Sequence, residues 1–181
     1  EMFPSFPNRF SAKSNNASFL LHSKNIKNEK RATKDRIAET LTIAVSPKGK
    51  EVAFIMRGDV YVTSIDYKTT KQITNTPDQE RNISFAPDGR TLVYSSERDG
   101  LWQLYTSTIV RKEEKQFTYA TELKEERLTN SKVASFQPQF SPDGKEVAFL
   151  ENRTAIRVIN LKSKAVRTVM DAKISIFLCR R

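Results

Sequence analysis

Three stretches of this chain are variants of one another, and nothing else in the sequence limits the fold as tightly. They read Val45-Ser-Pro-Lys-Gly-Lys-Glu-Val-Ala-Phe54, Phe85-Ala-Pro-Asp-Gly-Arg-Thr-Leu-Val-Tyr94 and Phe140-Ser-Pro-Asp-Gly-Lys-Glu-Val-Ala-Phe149. A fixed repeat means one structural unit used several times. Each copy is followed by an alternating run: Asp59-Val-Tyr-Val62, Trp102-Gln-Leu-Tyr105 and Ala155-Ile-Arg-Val158. A second short segment closes each unit: Lys71-Gln-Ile-Thr74, Glu126-Arg-Leu-Thr129 and Val166-Arg-Thr-Val169. The copies start at positions 45, 85 and 140, so successive starts are 40 and 55 residues apart. The link from Ile73 to Phe85 and the link from Leu128 to Phe140 both measure 12 residues. The longer interval is therefore the 40-residue repeat with 15 residues inserted in its second copy, near Ile109–Lys124.

The chemistry of one unit follows from its residues. Pro sets φ for an early turn position, Asp accepts from nearby backbone N–H groups, and Gly takes a positive φ without a Cβ clash. A turn flanked by β-branched and aromatic runs reads as a hairpin. The unit is four strands in about 40 residues, the size of one β-propeller blade. Helical repeats of similar length need a 3.6-residue period, and these runs alternate with period two. The fold expectation is an all-β, partial β-propeller of four-stranded antiparallel blades, three complete and one partial. The blades are expected at about 41–76, 81–131 and 136–171. The inserted segment forms a loop or extends a hairpin, with Phe117 and Tyr119 as candidate strand residues.

The same offsets continue upstream to Thr33 and to Leu20 within Ser18-Phe-Leu-Leu-His22, which marks 18–36 as a remnant of a preceding blade. Residues 1–17 read as an irregular flank, and 172–181 as an atypical tail in which Ile174–Leu178 is a strand without a Pro-Asp-Gly turn after it. Closed propellers need about four to eight blades. The chain is expected to be part of a larger protein or to complete itself by association, since open sheet edges invite pairing.

Charge bears on partners. The chain carries 31 Lys and Arg against 21 Asp and Glu, a net +10. Residues 1–40 account for +4 of this and residues 172–181 for +3, while the stretch between them holds 20 basic against 17 acidic residues. A nucleic-acid module concentrates its basic charge on the folded part; here it sits in the flanks, so nucleic acid is not an expected partner. No apolar run approaches the ~20 residues of a membrane span. Cys179 has no second cysteine to pair with, and a single His makes a histidine-based metal site unexpected. No Gly-rich phosphate loop, CxxC, HExxH or GxSxG occurs, and no cofactor is expected.

Individual polar residues have structural explanations. His22 alone offers an imidazole base, and a Ser–His–Asp triad needs that base set between a carboxylate and a nucleophile; His22 is read as a strand or edge residue of the preceding blade. Asp88 and Asp143 match turn positions, and Lys48 fills the same position in the first copy, which favours backbone capping over a metal or catalytic role. Glu97, Arg98 and Asp99 precede Gly100 in a loop, as a solvated turn with a local ion pair or as a rim contact for peptide or a partner domain. Phe54, Tyr61, Trp102 and Tyr105 are expected to pack between blades. The insertion at Lys112–Lys124 is the best candidate for a functional loop, against the plainer reading of a solvated hairpin. No catalytic, cofactor-binding or metal residue is assigned, and the ligand-binding residues are left open.

The pattern Phe-Ser-Pro-Asp-Gly-Lys-x-Val-Ala-Phe resembles the propeller repeats shared by tricorn-like serine peptidases, TolB and the prolyl-oligopeptidase group. Ala44–Phe54, Arg57-Gly-Asp-Val-Tyr-Val-Thr63, Lys71-Gln-Ile-Thr-Asn-Thr-Pro77 and Ser96-Glu-Arg-Asp-Gly100 look most like the tricorn-like peptidases. The resemblance covers residues 37–171. It implies a non-catalytic propeller segment that helps peptides reach a serine-peptidase core, a core with no counterpart in this chain. The alternative it implies is a TolB-like protein-interaction propeller with no catalytic domain. Partners would be peptides or the remaining domains of a larger protein, with self-association through open blade edges. The compartment would be cytoplasmic by the tricorn resemblance, or periplasmic if a signal peptide precedes the chain.

Overall fold

A computed structural model describes residues 42–172. The upstream remnant, His22, the strand proposed at Ile174–Leu178 and Cys179 lie outside the described residues. Within them the chain is all-β, with twelve strands in three four-stranded antiparallel sheets. The first sheet is β1 (Ile43–Val45), β2 (Glu51–Met56), β3 (Asp59–Ser64) and β4 (Thr70–Gln72). The second is β5 (Glu80–Phe85), β6 (Thr91–Ser96), β7 (Gln103–Ile109) and β8 (Leu123–Arg127). The third is β9 (Ser135–Phe140), β10 (Glu146–Glu151), β11 (Ala155–Asn160) and β12 (Val166–Asp171). Every strand pairs with its neighbour in sequence, the meander expected of a propeller blade.

The repeated Pro-x-Gly segments make the turns between the first two strands of each sheet. Gly49, Gly89 and Gly144 all have φ between 66° and 70°, and each donates its N–H to the carbonyl three residues back, on Ser46, Ala86 and Ser141. Asp88 and Asp143 accept the N–H of Arg90 and Lys145 at 2.8 and 3.1 Å, which is the capping expected of them. Successive turns also touch. A Cβ on Gly89 would meet Pro47 at 3.6 Å, and one on Gly144 would meet Pro87 at 3.3 Å.

The fourth strands of the first two sheets end sooner than the sequence motif suggests. Ile73 and Thr74 leave β4, and both of their amides point at the Val60 carbonyl, at 2.8 and 3.4 Å. Thr74 Oγ1 accepts the Val60 N–H at 2.8 Å. Leu128 and Thr129 repeat this corner on Leu104, with a Thr129 Oγ1 bond of 2.9 Å. The hydroxyl replaces a missing ladder partner, so the chain can leave the sheet without orphaning a buried donor. This corner starts the constant 12-residue link.

Two apolar layers join the sheets. Ala53, Val60 and Val62 of the first sheet meet Phe85, Leu92, Tyr94 and Tyr105 of the second. Val93 and Leu104 on the second sheet's other face meet Phe140, Val147, Phe149 and Ile159 of the third. Side chains alternate across a strand, so these inward sets send Phe54 and Tyr61 to the far face of the first sheet. There they stack on each other at 5.7 Å, away from the two described joints; of the four aromatics expected between sheets, Tyr105 is the buried one.

The insertion is a turn-rich loop between β7 and β8, not a pair of extra strands, and Phe117 and Tyr119 sit in a turn. Phe117 is fully buried against Phe85, ring centroids 5.9 Å apart. Glu51, buried on β2, accepts the N–H of Phe117 at 3.1 Å and both the N–H and hydroxyl of Thr118 at 2.9 Å. Arg90 donates to the carbonyls of Ile109, Arg111, Lys112 and Glu114. An arginine has enough fixed donors for such a set, which a lysine lacks. The solvated-hairpin reading therefore gives way to a clasp that plugs the joint between the first two sheets.

Candidate interaction surface

One end of the sheets collects the chemistry. It is the end where β5 and β9 begin, where β6 turns into β7 and where β10 turns into β11. The start of each inner strand is tied to the sheet before it: Glu80 N–H to Gly58 O at 2.7 Å, and Ser135 N–H to Trp102 O at 2.9 Å. Both inner strands are irregular at this end. Asn82 and Gln137 hold positive φ of 54° and 49°, and Gln137 N–H donates to Asn82 Oδ1 at 3.4 Å.

Between the first and second sheets this end holds a charged network. Arg98, in the 3-10 turn Arg98–Gly100, makes two bonds to Glu125 at 2.6 and 2.7 Å and lies 3.6 Å from Glu80. Its guanidinium covers the Tyr105 ring at 4.4 Å. Tyr94 hydroxyl donates to the same Glu125. Glu80 is buried, and it accepts from Ser96 at 3.0 Å, Thr76 at 2.9 Å and Thr74 at 3.2 Å. Burial pushes its carboxyl up to about 7 against the hydrogen bonds and Arg98. Burial likewise raises Asp59, beside Thr74. Burial also works against the Glu125 carboxylate, but Arg98 and Tyr94 hold it below its usual range. Arg98 thus ties β5, β7 and β8 of the second sheet together at this end, and the local ion pair expected of 97–99 is instead a pairing across to β8.

Between the second and third sheets the same end carries a different array. Arg81 lies over the Trp102 ring at 5.0 Å. Trp102 meets Phe136 at 6.0 Å, and Arg153 lies over Phe136 at 5.4 Å. Trp102 and Phe136 are half-buried, while Arg81 and Arg153 are exposed. Sequence reasoning placed Trp102 in packing between blades, where it meets Phe136 of the next sheet, and passed over the other three. The usable signal was the repeat register: Arg81 and Phe136 both stand four residues before the Phe that opens the motif, at Phe85 and Phe140. Among the described residues no group of three or more His, Cys, Asp or Glu is placed to hold a metal ion, and no helix is long and apolar enough to cross a membrane.

No family model matches the chain. Over 91 residues, 48% of the chain, it is 35% identical to the Tol-Pal system protein TolB of Francisella tularensis subsp. mediasiatica (strain FSC147). That stretch spans 18% of the relative's own length. Among solved structures, a putative TolB from Agrobacterium tumefaciens superposes with a TM-score of 0.57 at 23% identity, over 75% of this chain and 51% of that one. The tricorn protease superposes with a TM-score of 0.52 at 15% identity, over 67% of this chain and 14% of that one. At these identities the structural likenesses establish the β-propeller fold alone. The chain is a β-propeller segment whose repeats are similar to those of TolB.

Proposed function

We propose that residues 42–172 form part of a TolB-like, non-catalytic propeller that binds another protein, and that the end bearing Arg81, Trp102, Phe136 and Arg153 is the binding end. The 35% identity to a TolB protein over 91 residues carries this reading. It spans nearly half the chain, whereas the tricorn likeness lies in fold only, at 15% identity. Rigid sheets presenting side chains at their loop-bearing ends suit recognition. The test is to read the reading frame on both sides of this segment and to assay the full product for peptide hydrolysis. An uninterrupted propeller with no peptidase activity is expected. A serine-peptidase core downstream, with hydrolysis abolished by a serine-directed inhibitor, would replace this reading.

The run from Arg57 to Gly100 supports the second reading, a tricorn-like peptidase's propeller that admits peptides to a catalytic core. In that case the same end would meet peptides in transit rather than a folded partner.

A further inference from the structure

We infer that Arg81, Trp102, Phe136 and Arg153 form a docking shelf for an extended acidic peptide segment, with an apolar residue between two carboxylates. The inference rests on the interaction reading above and names the partner's chemistry. The four side chains run in one order, cation, ring, ring, cation, at spacings of 5.0, 6.0 and 5.4 Å. End to end that reaches at most about 16 Å, and the first and fifth residues of an extended segment stand about 13 Å apart, four steps of ~3.3 Å. Alternate side chains of an extended segment share a face. A segment of the form acid, any, apolar, any, acid therefore sets its carboxylates over the two arginines and its apolar side chain on the rings.

Charge complementarity selects the acidic occupant. Among the described residues Arg98, Arg127, Arg157 and Arg167 stand in ion pairs. Arg81 bonds Gln79 at 3.2 Å, and neither it nor Arg153 is paired with a described carboxylate. A guanidinium whose carbon sits about 5 Å above a ring still has N–H donors to offer, and they suit bidentate carboxylate contacts. The platform beneath is stiff. Ser135 N–H is bonded to Trp102 O, and Asn152 N–H, beside Arg153, to Ala134 O at 2.8 Å. Little ordering is left to oppose binding. A nucleic acid is disfavoured because residues 41–171 hold 20 basic against 17 acidic side chains, without the broad positive field that phosphate backbones require.

Trp102 is the chain's one tryptophan, so its emission reads the shelf directly. The experiment titrates the 181-residue chain with a capped nonapeptide containing Glu-Ser-Leu-Ser-Glu, followed by Trp102 emission and by anisotropy of the labelled peptide. Saturable binding is expected with a Kd of about 10–100 μM in 50 mM salt, weakening at least about fivefold in 300 mM salt. The Gln-for-Glu peptide binds at least about tenfold more weakly, and Arg81→Gln and Arg153→Gln each cost about fivefold. Lys162→Gln, in the turn between β11 and β12 at the other end, changes affinity less than twofold. The inference is overturned by no saturable signal, by equal binding of the Gln peptide, or by equal losses from Lys162→Gln. Tighter binding of a single-stranded RNA hexamer than of the acidic peptide would overturn it too. These outcomes leave the flanking-sequence test of the interaction reading unaffected.

Discussion

Gly144 shows how one atom separates two turns of the same sequence type. Its φ of 69° strains any L side chain, as does the 66° of Gly49. A Cβ at Gly144 also meets Pro87 at 3.3 Å, whereas one at Gly49 meets nothing within 4 Å. Gly49→Ala is expected to cost about 1 kcal/mol, and Gly144→Ala about 1 kcal/mol more. Urea titrations of the two variants check this, and equal midpoints would remove Pro87 from the account. Glu80 makes a second residue-scale case. Folded, its carboxyl holds a proton up to about 7, against an ordinary value of 4.5. The folded state therefore binds more protons than the unfolded chain across that window, and stability falls as pH rises from about 4.5 to 7. The loss is at most about 3 kcal/mol. Glu80→Gln is expected to flatten this fall and to be more stable than the parent at pH 8. Parallel stability-versus-pH curves for the two proteins would refute it.

At the scale of elements, the insertion between β7 and β8 is a clasp. Its Phe117 ring fills the joint, Glu51 takes the amides on either side of that ring's turn, and Arg90 collects carbonyls from Ile109 to Glu114. Each bond reaches into the loop from a different sheet: Glu51 from the first, Arg90 from the second. Arg90→Lys keeps the charge but loses most of the donors. It is expected to cost about 1–2 kcal/mol and to speed hydrogen exchange at residues 110–122 before any global unfolding. Unchanged exchange there would mean that Phe117 burial alone holds the loop. The fourth strands teach a related lesson. A Thr hydroxyl at Thr74 or Thr129 ends the strand by taking over a backbone bond, which short-range β propensity does not reveal.

At the scale of the whole molecule, the described sheets are joined on their inner faces only. Ile43 and Val45 on the first sheet are 58% and 61% exposed, and Ile156 and Met170 on the third are 41% and 51% exposed. Apolar sheet faces of this kind favour contact with another sheet. Ile156→Lys with Met170→Glu is expected to lower concentration-dependent association of the 181-residue chain while leaving its unfolding midpoint within about 0.5 kcal/mol. Sedimentation across a range of concentrations reads this, and undiminished association would place the contact elsewhere.

The propeller class, the order of the strands and the three Pro-x-Gly turns were all determined by the sequence alone. Turn chemistry and period-two alternation act over a few residues, so they can be read from a few residues. Alternation does not say which side of a strand will meet which neighbour. Phe54 and Tyr61 therefore came to lie on the first sheet's outer face, and Trp102 half-buried at the rim of the joint between the second and third sheets. The Arg98–Glu125 pairing joins residues 27 apart, and the Glu51–Phe117 bond joins residues 66 apart. The first distance is supplied by the pairing of β7 with β8 within the second sheet, and the second only by the packing of one sheet on the next. The same packing brings Arg81, Trp102, Phe136 and Arg153 into one row, from an inner strand, a loop, another inner strand and a turn of two different sheets.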